Sequence, residues 1–271
     1  MKAIVLVDNN TKNFLKPEWG LAVWIEHEGN VILLDTGTTG VFLENAKDMG
    51  LDLSAVEFGV LSHAHFDHSD GLETFFTANE NAKFYLRSSC KENCYSKKGG
   101  DELHYIGIRE GYLERFSDRL CFVDGDVEVV PGVWLIPHKS KELEKVGEHA
   151  GMYVKIRGRF EPDPFAHEQS LVIDTPNGLV IFNSCSHGGA DRIIRDVQET
   201  WPHKKICAYI GGLHLFRSLD QEVLDFAARV KETGIRMIYT GHCTGDRAME
   251  LLKEELGDGI LEIYTGQIIE I

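Results

Sequence analysis

The apolar positions in the first third of the chain form short runs separated by turn residues. Such runs, rich in Val, Ile and Leu, predict β-strands. Gly29-Asn30 lies between two of them and favours a hairpin turn. The predicted strands of this part are residues 3–7, 20–26, 31–34 and 56–61.

The spacing of apolar residues from 40 to 49 predicts a helix that ends before Gly50. A second helix is predicted over residues 70–77, with Asp70 as its N-cap. The middle of the chain, about 87–166, is less regular. Its charged part, 139–148, favours a solvated face or a mobile loop. Four strands are predicted within the middle: 120–123, 127–130, 133–136 and 153–156.

Beyond residue 166 predicted strands and helices alternate. Two apolar runs flank residues 175–178 and predict another hairpin. Further strands are predicted at 205–210 and 236–239, and helices at 190–199, 220–232 and 246–255. Hairpins in both halves and this alternation predict an α/β fold of two β-sheets covered outside by helices. Because no linker divides the chain, we expect a single domain, 1–271, with an irregular insertion at about 87–166 that shapes the pocket.

The composition narrows the class of function. The chain has 271 residues, 43% of them hydrophobic and 26% charged, as in ordinary globular proteins. A net charge of −15 argues against nucleic acid as a partner, because such binders need a basic surface. No apolar run has the length of a membrane span, and the first residues do not resemble a signal peptide. The six cysteines include no C-x-x-C pair, which favours reduced thiols in a cytoplasm. Nothing in the sequence indicates an oligomeric state.

Four candidate metal ligands follow the predicted strand 56–61 directly. They are His63, His65, Asp67 and His68. Side chains alternate along an extended segment, so His63 and His65 point to the same side. Asp67 and His68 follow where the chain should turn, and they can face a second point nearby. Imidazole and carboxylate bind zinc and harder first-row ions, so the spacing predicts two adjacent metal positions.

More candidate ligands lie at the ends of predicted strands, where loops often carry sites. His187 and His242 each follow a buried strand and are the stronger candidates for metal binding. His214 has a similar position and is a candidate for contact with substrate. His167 precedes a strand instead, and could contact metal or substrate.

Two cysteines and one carboxylate could also belong to the site. Cys185 and Cys243 stand near the strong histidines, although free cysteine is commonly a buried structural residue. Cys185 is the better candidate for the metal. Asp35 ends a predicted strand, and its natural role is to hold the imidazole of a ligand in place.

These motifs resemble the metallo-β-lactamase superfamily, and the resemblance extends over nearly the whole chain. The motifs that carry it are His63-x-His65-x-Asp67-His68, Leu34-Asp35-Thr36-Gly37, His187 and His242. The resemblance implies a four-layer αβ/βα sandwich with two metal ions between its two mixed sheets. It also implies two ligand sets: His63, His65 and His187 for one ion, and Asp67, His68 and His242 for the other.

One feature departs from the superfamily pattern. Many members carry an aspartate that bridges the two ions, but the corresponding segment here, 183–187, contains Cys185 and His187 and no aspartate. Either His187 completes the first ligand set, or it replaces the aspartate and His167 completes that set. The segments around Cys185, His214 and His242 resemble a branch named for a dihydropterin–ribofuranosylaminobenzene-phosphate synthase.

The sequence therefore predicts a metal-dependent hydrolase that uses a hydroxide bound at a dinuclear centre, because a divalent ion lowers the pKa of its water to near 7. Asp67 would orient the water, and His214 would contact the substrate or donate a proton. A centre without the bridging carboxylate is more positive, which favours an anionic substrate such as a phosphate or carboxylate compound. Zinc is the expected metal, and manganese or iron would also suit the ligands.

Three alternatives stay open from sequence. The first is a transferase like the pterin-linked synthase. The second is a non-catalytic metal or ligand sensor on the same fold. The third is an iron oxidoreductase, for which the chain offers no recognisable flavin-binding segment.

Overall fold

Two seven-stranded sheets and one four-stranded sheet make up the β-structure of residues 1–97 and 100–271, which the computed structural model describes. The strands are β1 Lys2–Val7, β2 Ala22–His27, β3 Asn30–Leu34, β4 Phe58–Val60, β5 Lys83–Arg87, β6 Cys94–Lys97, β7 Leu103–Tyr105, β8 Leu120–Val123, β9 Val127–Val130, β10 Val133–Pro137, β11 Met152–Ile156, β12 Arg159–Pro162, β13 Gln169–Thr175, β14 Gly178–Phe182, β15 Ile206–Ile210, β16 Ile238–Thr240, β17 Ile260–Glu262 and β18 Ile268–Glu270. The helices are α1 Val41–Asp48, α2 Phe66–Ser69, α3 Leu72–Ala78, α4 Tyr112–Arg115, α5 Leu143–Ala150, α6 Ala190–Thr200, α7 Asp220–Thr233 and α8 Asp246–Leu256.

Both large sheets are mixed. The first has the order β18-β1-β2-β3-β4-β5-β8, with antiparallel pairs up to β3 and parallel pairs from β3 to β8. The second has the order β17-β16-β15-β14-β13-β10-β9, parallel from β17 to β14 and antiparallel beyond. In each sheet, loops at the carboxyl ends of the parallel strands therefore share one edge, where sites are often built.

The apolar side chains define four layers. Alternate residues of the two sheets, such as Val5, Leu171 and Phe182, pack against each other and form the central core. The opposite face of the first sheet is covered by α1 and α3, and that of the second by α6, α7 and α8. The αβ/βα sandwich confirms the predicted fold class.

The segment 87–166 contributes to all three sheets. Its strand β8 extends the first sheet and β9 and β10 extend the second, so the strands predicted there are confirmed. The four-stranded sheet, in the order β12-β11-β6-β7, lies wholly within this segment. Together with α5 it forms a wall of the cavity described below.

One local prediction was wrong, and in another only one of its two alternatives holds. Asp70 is not the N-cap of α3, because the chain becomes helical earlier, at α2; Asp70 ends α2 and Gly71 precedes α3. Most residues of the charged segment 139–148 are exposed, as predicted for a solvated face, but the segment is not a loop throughout, since it contains most of α5. Leu143 is buried in the main core, and Gly147 packs so closely on Asp163 that an added Cβ would lie 2.2 Å from its carbonyl oxygen.

All six cysteines have free thiols. In the described ranges, no helix has both the length and the apolar character needed to cross a membrane.

Candidate metal centre

Six of the candidate ligands meet at the edge that the parallel strands share. His63 and His65 lie in the loop after β4, and Asp67 and His68 lie in α2. His187 follows β14, and His242 opens a 3₁₀ turn after β16. All six side chains are buried. Two groups of three can be distinguished, and we call them the first triad (His63, His65, His187) and the second triad (Asp67, His68, His242).

In the first triad, one ring nitrogen from each imidazole lies within 4.8 Å of the other two. His63 Nε2 is 3.3 Å from His187 Nε2. Among the described residues, no hydrogen-bond partner is found for the buried His65 Nε2 or for His187 Nδ1. Buried polar atoms normally have partners, so the free His65 Nε2 fits a site for a cation.

In the second triad, the ligand atoms also lie within 4.8 Å of one another. His68 Nε2 and His242 Nε2 are 3.2 Å apart. Asp67 Oδ2 is 3.5 Å from His242 Nε2. The nitrogens of two imidazoles bound to one tetrahedral zinc ion at 2.0–2.1 Å would lie roughly 3.3 Å apart. Both triads therefore have the dimensions of a metal site.

The hydrogen bonds behind the second triad fix the tautomers of its histidines. His68 Nδ1 donates to Asp35 Oδ2 at 2.8 Å, and His242 Nδ1 donates to Asn9 Oδ1 at 3.0 Å. The Asn9 amide is oriented by its other bonds, from Gly20 N–H to Oδ1 and from Nδ2 to the His242 carbonyl. The lone pairs of the two Nε2 atoms therefore face each other, and a proton or a metal ion must lie between them.

Asp35 also supports the first triad. The Ser62 hydroxyl donates to Asp35 Oδ2 at 2.6 Å and accepts from His63 Nδ1 at 2.8 Å. His63 is thereby held with its Nε2 lone pair directed toward His187. The structure thus places Asp35 behind one imidazole of each triad, the kind of supporting role that the sequence indicated for it.

The two triads differ in charge. Burial lowers the pKa of His65 to about 3, and burial likewise holds the pKa values of His63 and His187 well below the usual range. In the second triad, burial disfavours the charged forms of Asp67 and His242. The neighbouring imidazoles of His68 and His242 nevertheless lower the pKa of Asp67. Although burial also acts against protonation of His242, its hydrogen bond with Asp67 raises the pKa of His242 to about 9.

Trp19 is a site residue that the sequence interpretation missed. Its indole Nε1–H donates to Asp67 Oδ2 at 2.8 Å, and its ring centroid lies 5.2 Å from that of His242. Trp19 thus fixes the carboxylate of the second triad. No periodic pattern marks this residue in the sequence.

Glu168 is a second missed residue. It lies under the loop that carries His187, and its carboxylate accepts the backbone N–H groups of His187 and Gly188 at 3.0 and 3.2 Å. The side chain of His138 is buried, and its Nε2 is hydrogen-bonded to the same carboxylate. The pair fixes the backbone from which His187 projects.

His167 lies behind the first triad. Its Nδ1 accepts from Ala64 N–H at 3.2 Å, and its Nε2 donates to Asp163 Oδ2 at 3.0 Å. Cys94, Asp163, His167 and His65 could be taken as a further metal site, since their ligand atoms lie within 4.8 Å. Because both His167 nitrogens are already engaged, we assign His167 a supporting role for the loop of the first triad.

A cavity of about 850 Å³ opens over the centre. His65, Asp67 and His187 lie at its floor, and His214 lies on its wall with its ring centroid 4.3 Å from that of His187. His214 belongs to neither triad. Desolvation by its surroundings lowers the pKa of His214 to about 4.

Comparisons with known proteins indicate the family of the chain. The sequence model of the metallo-β-lactamase superfamily matches residues 17–151. The 7,8-dihydropterin-6-methyl-4-(β-D-ribofuranosyl)-aminobenzene-5'-phosphate synthase of Methanocaldococcus jannaschii is 27% identical over 94% of this chain and 91% of its own. The crystal structure of Tm1679, described as a metal-dependent hydrolase of the β-lactamase superfamily, is 30% identical, with a TM-score of 0.85 over 100% of this chain and 99% of that chain.

A more distant structure shows the fold alone. The metallo-β-lactamase fold protein YhfI from Bacillus subtilis is 11% identical and has a TM-score of 0.60, covering 99% of this chain and 98% of its own. From the 30% identity with Tm1679 over the whole chain, and from the match to the superfamily model, the chain belongs to the metallo-β-lactamase superfamily.

Proposed function

We propose that the protein is a metal-dependent hydrolase that acts on an anionic small molecule at a centre of two divalent ions. The observation that carries the proposal is the facing pair of Nε2 atoms in His68 and His242, 3.2 Å apart, each directed inward by a hydrogen bond at Nδ1. The similarity to Tm1679, described as a metal-dependent hydrolase, supports the reaction class.

The first triad would hold one ion and the second triad the other. A donor set of imidazole and carboxylate suits zinc, and it also accepts manganese or iron. When bound, such ions supply a water whose pKa is near 7 and polarise the bond to be broken.

Asp67 and His214 are the side chains placed to act on water and substrate. One Asp67 oxygen accepts from Trp19, which leaves the carboxylate fixed at the floor of the cavity, where it would orient the attacking water. The lowered pKa of His214, about 4, keeps its imidazole neutral at pH 7 because its surroundings exclude solvent. His214 would therefore orient the substrate as a hydrogen-bond donor, and would not supply a proton as an imidazolium.

Charged side chains at the cavity wall support an anionic substrate. Arg229 is paired with Asp191 at 2.8 Å. Arg192 and Arg217 make no ion pair with any residue in 1–97 or 100–271, and both line the cavity. Acidic residues line it as well, but Glu222 accepts from the Leu219 backbone N–H and from His149, and Asp225 accepts from Gln221. Two arginines and the metal centre thus offer positive charge in a protein of net charge −15.

Metal analysis and substitution test the centre together. We expect purified protein to bind two divalent ions, and His65→Ala and Asp67→Ala to lose metal and hydrolytic activity together. The exposed His203 provides a matched control, since His203→Ala should retain both. Turnover by protein freed of metal would overturn the proposal.

A substrate panel tests the charge preference. It should contain phosphodiesters and phosphomonoesters beside lactones, thioesters and neutral esters. We expect a higher kcat/KM for the anionic members, and a rise in KM for these members alone in Arg192→Gln and Arg217→Gln. A clear preference for neutral esters would contradict the assignment of substrate class.

A transferase is the second candidate, favoured by the similarity to the dihydropterin synthase over nearly the whole chain. In that reaction a second substrate replaces water as the nucleophile. Incubation with a phosphorylated ribofuranosyl aminobenzene and a dihydropterin that carries a diphosphate leaving group, followed by mass spectrometry, separates the two. A condensed product with release of diphosphate identifies the transferase, and a pterin monophosphate or free pterin alcohol without condensed product identifies the hydrolase.

A further inference from the structure

The cavity over the metal centre is larger than the reacting group of a substrate requires. Its volume of about 850 Å³ lies within the range of roughly 300–1,000 Å³ that is typical of pockets enclosing a whole organic ligand. Its floor is formed by members of the two triads and by Cys185, whose Sγ lies 3.2 Å from His68 Nε2. The space above the floor is therefore available to parts of the substrate that do not react.

Aliphatic side chains form one part of the cavity lining. Val146, His149 and Ala150 of helix α5 all line the cavity, because positions i, i+3 and i+4 share one face of a helix. Two buried residues from the ends of neighbouring strands, Ile106 and Met152, line it beside them. The aliphatic members of this set belong to one apolar cluster, and we call them the aliphatic wall: Ile106, Val146, Ala150 and Met152.

Aromatic rings form another part of the lining. The ring centroid of Phe216 lies 5.6 Å from that of Trp19 and 5.3 Å from that of His214, in both cases edge to face. We call these three residues, which all line the cavity, the aromatic wall. Trp19 is 45% exposed and Phe216 is 37% exposed, so a ligand that covers them removes apolar surface from water.

Charged side chains of the cavity pair with each other. Arg229 Nε is 2.8 Å from Asp191 Oδ2, and His149 Nε2 is 3.1 Å from Glu222 Oε1. This pairing reduces their need for polar groups of a ligand. The two arginines that make no ion pair in the described ranges are then left for an anionic group.

Helix α5 is held in place at three points, so the aliphatic wall limits the size of the ligand. Leu143 is buried in the main core, and a Cβ on Gly147 would lie 2.2 Å from the Asp163 carbonyl oxygen. The contact between His149 and Glu222 connects α5 to α7. A larger side chain on the cavity face of α5 would therefore extend into the cavity and leave the helix where it is.

We propose that the substrate is an amphipathic anion whose apolar body contacts the aliphatic and aromatic walls, an inference that rests on the proposed function. Its anionic group lies at the metal centre and the unpaired arginines. Alkyl and aryl phosphate esters belong to this chemical class. Because the apolar body is remote from the bond to be broken, it binds equally in the ground state and the transition state, and it lowers KM with little effect on kcat.

Calorimetric titration of the zinc-loaded protein with n-alkylphosphonates, from methyl to hexyl, tests the apolar site without a need for turnover. All members carry the same anionic head group, so their affinities differ through the chain alone. We expect the affinity to rise about two- to fourfold for each added methylene. Ala150→Phe should bind methylphosphonate as the wild type does, and should lose the rise for the longer members. Ala228→Phe is the matched control, because Ala228 is exposed on α7 outside the cavity lining, and it should reproduce the wild-type series.

A second variant, Phe216→Ala, alters an exposed side chain of the aromatic wall and does not endanger the fold. It should reduce the rise in affinity per methylene. Circular dichroism shows whether Ala150→Phe is folded, and the result for Phe216→Ala decides the matter if it is not.

The outcomes distinguish this inference from the proposed function. Equal affinities along the series, a series that binds nowhere, or a rise that both cavity variants keep would overturn the apolar site and leave the metal centre standing. A rise with chain length in a protein that hydrolyses no ester of the substrate panel would support the apolar site and overturn the proposed hydrolase.

Discussion

The two triads lie side by side, but the protein supports them differently. In the second triad each member has a partner: Trp19 for Asp67, Asp35 for His68 and Asn9 for His242. The first triad has a support at His63, while His65 Nε2 and His187 Nδ1 have no partner among the described residues.

This difference in support goes with a difference in charge. The second triad contains a carboxylate and an imidazole whose pKa is raised to about 9 by its hydrogen bond with Asp67, against the effect of burial. The first triad contains neutral imidazoles only, because burial lowers their pKa values. An ion entering the first triad meets three free lone pairs, whereas an ion entering the second must displace a proton.

The largest expected effect comes from removing one ligand of each triad. We expect His187→Ala and His242→Ala each to reduce bound zinc from two ions to one. Each should lower kcat/KM by at least about 10²-fold, as when one group that stabilises developing charge is lost. Metal content by mass spectrometry and hydrolysis assays check both, with His203→Ala as the control. A variant that keeps both ions would remove the mutated histidine from the ligand set.

The pH dependence of zinc binding should then distinguish the two positions. In His187→Ala, where only the second triad is complete, zinc affinity should rise about tenfold for each pH unit between 7 and 9, because His242 must lose its proton. In His242→Ala, where only the first triad is complete, affinity should stay constant over this range. Competition with a chelator of known pH dependence measures both slopes, and equal slopes would contradict the assigned charges.

The supporting residues provide a third test. Asn9→Ala should weaken zinc binding at the second position alone by about 10–100-fold, because Asn9 orients only His242. Asp35→Asn should weaken both positions, since Asp35 accepts from His68 and from the Ser62 hydroxyl that holds His63. The exposed neighbour Asn10 is the matched control, and Asn10→Ala should bind zinc as the wild type does. If Asp35→Asn weakens zinc binding at the second position only, Ser62 orients His63 without help from Asp35.

The ligand positions themselves could be predicted from sequence for a physical reason. The strands β4, β14 and β16 are apolar runs whose burial is dictated by composition, so polar residues directly after them must emerge at the sheet edge. Asn9 follows the buried strand β1 in the same way, and this signal could have identified it.

Other parts of the site depend on contacts that no local pattern encodes. Trp19 reaches Asp67 across 48 residues because the loop before β2 folds over the centre. Helix α5 was missed because its charged composition favours solvent, while its burial depends on Leu143 and on the close approach of Gly147 to Asp163. Residues of this kind become visible only when the tertiary structure is known.

The smallest expected effect is on the stability of the metal-free protein, and its sign differs between the triads. The folded-state pKa of His65, lowered by burial to about 3, lies below the ordinary value of 6.5. Its stabilising contribution is therefore complete above pH 6.5 and is lost as the pH falls toward 3, by about 1.4 kcal/mol per pH unit. The pKa of His242 lies above 6.5, since its hydrogen bond with Asp67 outweighs burial, so its contribution is complete below pH 6.5 and is lost as the pH rises toward 9.

Urea denaturation of the metal-free protein from pH 5.5 to pH 8.5 measures both trends. Relative to wild type, His65→Gln should reduce the loss of unfolding free energy between pH 6.5 and pH 5.5 by about 1 kcal/mol, because one histidine fewer takes up a proton on unfolding. His242→Gln should leave the loss of unfolding free energy below pH 6.5 unchanged and reduce the loss above pH 6.5. If both variants change the pH dependence on the same side of pH 6.5, the two triads do not differ in charge. That result would contradict the assignment of one neutral and one ion-paired metal position.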